Sequence, residues 1–412
     1  MSLSRKSCLC FCLLSFLVSS VFAQSNLKRQ KMMLRINEIV APYLESADFQ
    51  GVIGIQKGDE DPVILPYGYA SVELDVPHRG NNIYMIGSIS KLFTGVGILL
   101  LEEDGLLKTD DVISKYLPDF SRAREITIEQ LLTHTSGVTD VYSLKGFGKT
   151  AGLTGNFAEV TAELATLDLT FEPGNGYAYS NGGYTLLGAI IEKVSGKPFG
   201  EFLQERIFTP LGMTQTAHDS REIAVKKRVP GYDPIDFRGL SPVQTVHPAF
   251  TLGNGSLWSS ASDLLKWNRA LHNGSVLSEA SYRKLISDYG RGYGYGLSSF
   301  RRFDTPVLAH DGRIAGYAAD LAYYSEKKVS VVILSNVQSV AKDEIRNLVA
   351  AAALGERNKL PLPRTFAAQS ARDQEPLTGA NSYRPNITDI LLPAKNVFGR
   401  RRMKVVYRSF CR

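Results

Sequence analysis

The chain is short of cysteine. It has four, and Cys8, Cys10 and Cys12 crowd into the first dozen residues, leaving Cys411 alone downstream. No disulfide framework can staple such a chain, so its stability must come from a hydrophobic core. A length of 412 residues allows that. No Cys and His stand together at metal-ligand spacing, which excludes a structural zinc site; no cofactor is expected. After the first two dozen residues no apolar run reaches the roughly 18 residues that a membrane helix needs. Net charge is also scarce. The formal +6 comes from the two ends: without Arg5 and Lys6, and without Arg400, Arg401, Arg402, Lys404, Arg408 and Arg412, 39 basic residues face 41 acidic ones. A body near −2 carries no nucleic-acid footprint.

At the N-terminus a basic start, Arg5-Lys6, precedes an apolar run from Cys8 to Phe22 and the small-residue pattern Val21-Phe22-Ala23. This is the pattern of a cleaved secretory signal, residues 1–23, with the cut after Ala23. It places the mature chain in the periplasm or outside the cell. Residues 24–357 read as the folded unit. Residues 358–412, interrupted by Pro361, Pro363, Pro376 and Pro385, read as an irregular linker and basic tail.

Within the unit, hydrophobic periodicity predicts a helix over 27–44, weakened at its end by Pro42. Strands at 51–56 and 63–69 follow, joined by a turn at Lys57–Asp61. Further helices are expected over 88–104, from Ile126, over 180–195, from Pro198, and over 260–272. Thr127 and Gln130 suit a capping box. Strands are expected again at 294–300, 315–324 and 329–335, then a helix over 341–354. Strands at both ends and helices between them imply an α/β (α+β) fold: an antiparallel sheet built from both chain ends, with a mostly helical insertion over about 105–290.

Chemistry concentrates in three short elements. Ser88-Ile89-Ser90-Lys91 opens the long apolar helix, so Ser88 and Lys91 share one face of it. A serine hydroxyl is a weak nucleophile and needs a base, and a lysine serves only if burial depresses its pKa. Ser-x-x-Lys occurs five times in the chain, and the pattern alone decides nothing. Tyr179-Ser180-Asn181 is the single Tyr-x-Asn. His310-Asp311-Gly312 is the one His-x-Gly of three that stands directly before an expected strand.

In that order and at those separations, the three elements resemble the serine hydrolase superfamily of class C β-lactamases, penicillin-binding D,D-peptidases, D-aminopeptidases and related esterases. The segment from Ile126 to Gly137 and Phe171-Glu172-Pro173-Gly174 resemble it too. The resemblance implies the β-lactamase/transpeptidase-like fold and a role for each residue. Ser88 would form an acyl-enzyme. Lys91 would activate Ser88. Tyr179 would act as general base, its phenol pKa lowered by Lys91. Asn181 would bind substrate or fix Lys91. The backbone N–H groups of Ser88 and Arg313 would form an oxyanion hole, with Gly312 admitting the substrate to the strand. His310 stands where β-lactamases of this family carry Lys, and a largely neutral His greets a β-lactam carboxylate poorly. An ester, a D-amino-acid amide or a peptidoglycan-derived peptide is therefore the expected substrate, with activity changing near pH 6–7 if His310 contacts it. A non-catalytic binder of penicillin or cell-wall peptides is the rival reading; it has no need of Ser88, Lys91 and Tyr179 together. His134 is expected to be structural. Trp258 and Trp267 are expected in the core or a pocket wall.

Overall fold

A computed structural model describes residues 5–144, 147, 156–219, 225–235, 239–339 and 341–361. The chain opens with α1, Arg5–Glu45. Ile36, Ile39, Val40 and Tyr43 recur at helical spacing and are buried. Strands β1 (Gly51–Lys57) and β2 (Val63–Tyr67) form the expected hairpin. At the far end come β3 (Ser298–Arg302), β4 (Thr305–Ile314), β5 (Tyr317–Tyr324) and β6 (Val329–Ser335). They join β1 and β2 in one antiparallel sheet of order β3-β4-β5-β6-β1-β2. The two chain ends meet where β1 pairs with β6, Ile53 opposite Ile333.

Strand alternation sorts the side chains into two layers. Ile53, Ile55, Val331 and Ile333 face outward and pack with α1 and with α5, Ala341–Leu354. Val52, Val332 and Leu334 face inward. Both faces are covered, so β6 is buried along its whole length. Each such Val, Leu or Ile contributes about 1.5–3 kcal/mol of burial.

Three helices build the inner layer. Helix α2 spans Ser90–Glu103 and is apolar nearly all round, as a helix surrounded by protein must be. It stops at Gly105, whose φ of 72° suits a residue without Cβ. Helix α3, Asn181–Ser195, lies against α2. The contact is close: a Cβ on Gly97 would stand 3.1 Å from Ile191 Cδ1. Helix α4, Ala261–His272, is capped by Ser260 and packs on β1 and β6. Trp267 is buried there, stacked on Phe93 at 4.3 Å.

The region expected as a helical insertion also holds small sheets, one of them completed by residues 84–85 from ahead of it. Tyr84–Met85 and Ala217–His218 flank Leu257–Ser259, and Tyr232–Ile235 pairs with Gly239–Pro242. Its side chains share one core with the inner face of the main sheet: Leu131, Ile190, Val332 and Leu334 belong to the same cluster. From residue 362 onward the expected tail lies outside the described residues.

Strand β4 departs from expectation. His310 does not precede a strand; it lies inside β4. Asp311 and Gly312 disfavour strands in isolation, which hides the pattern. Pairing on both sides, with β3 and β5, overrides that preference.

Candidate active site

Ser88 sits in a single 3-10 turn, Gly87–Ile89, that feeds directly into α2. Lys91 follows in the first turn of α2, so both side chains project from the same end of the helix. Lys91 is fully buried. Its Nζ lies 3.1 Å from Ser88 Oγ, 2.7 Å from Asn181 Oδ1 and 2.8 Å from the Asn254 carbonyl. Burial lowers its pKa to about 7, against the opposing pull of Asp140 and Asp311. At neutral pH a large share of Lys91 is thus an uncharged amine. Such an amine has two N–H groups and one lone pair. Asn181 and Asn254 offer only acceptors, so they take the two hydrogens. The lone pair is left for the Ser88 hydroxyl, and the arrangement is that of a base set on a nucleophile.

Asn181 begins α3, which Ser180 caps by accepting the Gly183 N–H. Tyr179 stands just before it. The Lys91 Nζ is 4.8 Å from the centre of the Tyr179 ring and 5.6 Å from that of Tyr184. The expectation that Lys91 lowers the Tyr179 phenol pKa is not met. Tyr179 keeps 38% of its surface exposed, yet protein closes round its phenol and pushes the pKa well above the ordinary value. Asp311 pushes the same way, and only a hydrogen bond with Ser88 opposes them. The physical reason is burial: desolvation of the phenolate outweighs any pull from the Lys91 nitrogen over the ring face. Tyr179 therefore carries its proton at rest.

His310 comes from β4 and is buried. Its Nδ1 is 2.6 Å from the Asp311 carbonyl and must donate to it. Its Nε2 therefore accepts, at 2.9 Å, from the Tyr293 hydroxyl. Burial, aided by Lys91 and Lys342, lowers its pKa to about 4. The expected titration of His310 near pH 6–7 is corrected accordingly: the imidazole stays neutral there. The acid limb of activity should instead follow Lys91, and His310→Gln should leave its midpoint unmoved in a rate-versus-pH profile. A midpoint that moves with His310→Gln would reverse this assignment.

Gly312 and Gly87 let two backbones touch. A Cβ on Gly312 would stand 2.0 Å from the Ile86 carbonyl oxygen and 3.1 Å from the Ser88 nitrogen. A Cβ on Gly87, where φ is +51°, would stand 3.0 Å from the Arg313 nitrogen. The amides of Ser88 and Arg313 thus flank one seam between the nucleophile's turn and β4. The Arg313 guanidinium turns away to Asp343, at 3.3 Å. Asp311 is half exposed and paired at 2.9 Å with the buried Lys342, which holds its pKa at about 2.

Sequence reasoning missed Asn254, Asp140 and Tyr293. Asn254 acts through its carbonyl, which any residue carries; only the Gly253-Asn254-Gly255 turn hinted at it. Asp140 accepts from the Asn181 N–H at 2.9 Å and its Nδ2 at 3.0 Å. His134, expected to be structural, packs beneath Tyr179. It accepts the Ser180 N–H at 3.1 Å and lies 4.4 Å from the Tyr179 ring. Trp258 lies in the core against Tyr317. A concavity of about 550 Å³ along residues 105–116 contains none of these groups.

The Beta-lactamase family model matches residues 36–356. The chain belongs to the beta-lactamase family. A penicillin-binding protein of Bacillus subtilis strain 168 is 29% identical over 337 residues, covering 74% of this chain and 72% of its own. A D-aminopeptidase of Gluconobacter oxydans is 27% identical over 311 residues, covering 73% of this chain and 58% of its own. In fold, the D-amino acid amidase of Ochrobactrum anthropi superposes with a TM-score of 0.72 at 23% identity. That match covers 79% of this chain and 99% of the amidase. As a member, the chain carries the fold of a family of serine hydrolases.

Proposed function

We propose that the protein is an exported serine hydrolase that cleaves an ester or amide through an acyl-enzyme on Ser88. The observation that carries this is the buried Lys91 nitrogen, 3.1 Å from Ser88 Oγ and held by the Asn181 Oδ1 and the Asn254 carbonyl. In the first step Ser88 Oγ gives its proton to Lys91 and bonds to the substrate carbonyl carbon. The carbonyl electrons move to oxygen, beside the Ser88 and Arg313 amides. The Tyr179 phenol protonates the leaving group as its bond to carbon breaks, and recovers a proton from the Lys91 ammonium. Water then attacks the acyl carbon, loses its proton to the same pair, and releases the acid and Ser88.

The substrate class follows from charge. His310 itself carries no fixed charge, and Asp311 presents a half-exposed carboxylate, paired with the buried Lys342, beside the seam. A substrate ending in a carboxylate gains nothing there. A neutral ester or an amine-bearing amide, such as an amino-acid amide, suits it better. Relatives named as a D-aminopeptidase and a D-amino acid amidase support the same reading. Export rests on the first 23 residues of sequence.

The test is turnover by the chain from Gln24 onward. Chromogenic esters, D-amino-acid amides and a chromogenic β-lactam are compared, with Ser88→Ala as control. Esters or amides should turn over faster than the β-lactam, and Ser88→Ala should lose nearly all of it. Equal rates in both proteins would remove Ser88 from the mechanism. A lasting penicillin adduct without turnover of anything would favour a binding protein.

A further inference from the structure

Asn181 can fail in a way that its neighbours must prevent. Its amide has an acceptor end and a donor end of nearly the same shape. With Oδ1 toward Lys91, the lysine spends a hydrogen on it and keeps its lone pair for Ser88. With the amide turned over, Nδ2–H would donate into that lone pair and disable the base.

One side chain decides between the two. Asp140 Oδ2 accepts from Asn181 Nδ2 at 3.0 Å and from the Asn181 backbone N–H at 2.9 Å. A turned-over amide would set Oδ1 against this carboxylate, acceptor against acceptor. The other oxygen, Oδ1, accepts the Tyr142 N–H at 3.1 Å and so fixes the carboxylate at the start of the turn Val141–Ser143. We propose that Asp140 is a positioning residue that orients the Asn181 amide and thereby keeps the Lys91 lone pair on Ser88. This deepens the hydrolase reading and rests on it.

Asp140 also acts by charge. The groups around Lys91 are Ser88, Asn181 and the Asn254 carbonyl in contact, and the Tyr179 and Tyr184 rings over it. Further out stand Asp140, Asp311, His134 and His310. Both histidines are held neutral by burial. Asp140 and Asp311 are therefore the anions that favour the ammonium form. Removing the Asp140 charge lowers the Lys91 pKa and moves the acid limb of reactivity to lower pH.

The experiment uses an alkyl fluorophosphonate, which needs no knowledge of the natural substrate. Ser88 Oγ bonds to phosphorus, fluoride leaves, and the serine proton passes to Lys91. The rate of adduct formation at Ser88 is followed against pH by peptide mass. In Asp140→Asn, the plateau rate above the limb should fall about 10- to 100-fold, the scale of a misplaced catalytic group. The limb should move to lower pH. Asp140→Glu keeps the charge but displaces the oxygens; its limb should stay while its plateau falls. In an Asn181→Ala background, Asp140→Asn should lower the plateau no further. Thermal melts of each variant establish that it is folded; Asn at 140 retains an oxygen for the turn. A wild-type plateau and limb in Asp140→Asn would overturn the proposal and leave the hydrolase reading standing. An equal loss in the Asn181→Ala background would overturn it too, because Asp140 would then act elsewhere. A wild type that forms no adduct at Ser88 would instead sink the hydrolase reading, and the proposal with it.

Discussion

Lys91→Met should react at Ser88 about 100- to 10,000-fold more slowly than the wild type, the range that a positioned general base supplies. Methionine fills much the same apolar path but brings no lone pair. The wild type should show a rate that rises with pH through about 7, because only the uncharged amine can take the serine proton and its pKa lies there. The sign follows from burial: desolvation disfavours the ammonium, so the base form appears below the lysine's ordinary range. Lys91→Met should lose this limb as well as the rate, since neither Tyr179 nor His310 titrates there. Tyr179 is held protonated far above it, and His310 neutral down to about 4. The measurement is a pH profile of fluorophosphonate labelling or ester turnover for both proteins. A Lys91→Met profile that keeps the wild-type limb would assign the base elsewhere.

Gly312→Ala should cost nearly as much. The new methyl would fall 2.0 Å from the Ile86 carbonyl oxygen, well inside contact distance. The obstacle is backbone on both sides, so relief must come from parting β4 from the nucleophile's turn. Overpacking of this kind costs about 1–3 kcal/mol of stability. Parting the seam also separates the Ser88 and Arg313 amides. If these hold the oxyanion, losing one donor slows the reaction about 100- to 1,000-fold. The two readouts differ: the melting temperature should fall modestly while turnover collapses. Full turnover in Gly312→Ala would remove the seam from the mechanism.

Much of this arrangement can be read from the chain itself, for definable reasons. Helix ends were legible where local chemistry fixes them, as with the Thr127–Gln130 capping box and Gly105. The interior strands β1 and β6 were legible because both faces are buried and Val, Ile and Leu dominate them. Strand β4 was not, because Pro306, Asp311 and Gly312 speak for a turn and only the neighbouring strands outvote them. Among the site residues, Ser88, Lys91, Asn181, His310 and Gly312 meet as their order in the chain implied. What spacing could not convey was charge state. The Tyr179 phenol was expected low and lies high, and His310 was expected to titrate near neutrality and does not. Both depend on how completely distant segments close over a side chain. Asp140 and Asn254 escaped for a related reason: each acts on another protein group through a contact that no local pattern encodes.

The surroundings of Lys91 have one more implication. As an ammonium it meets three oxygens with three hydrogens; as an amine it meets the same three with two hydrogens and a lone pair. Neither form leaves a partner stranded, so the proton can arrive and depart while the heavy atoms stand still. In water the solvent shell would have to turn at each transfer; here folding has already set the dipoles for both states. Rearrangement around the lysine then adds little to the barrier of the proton transfer.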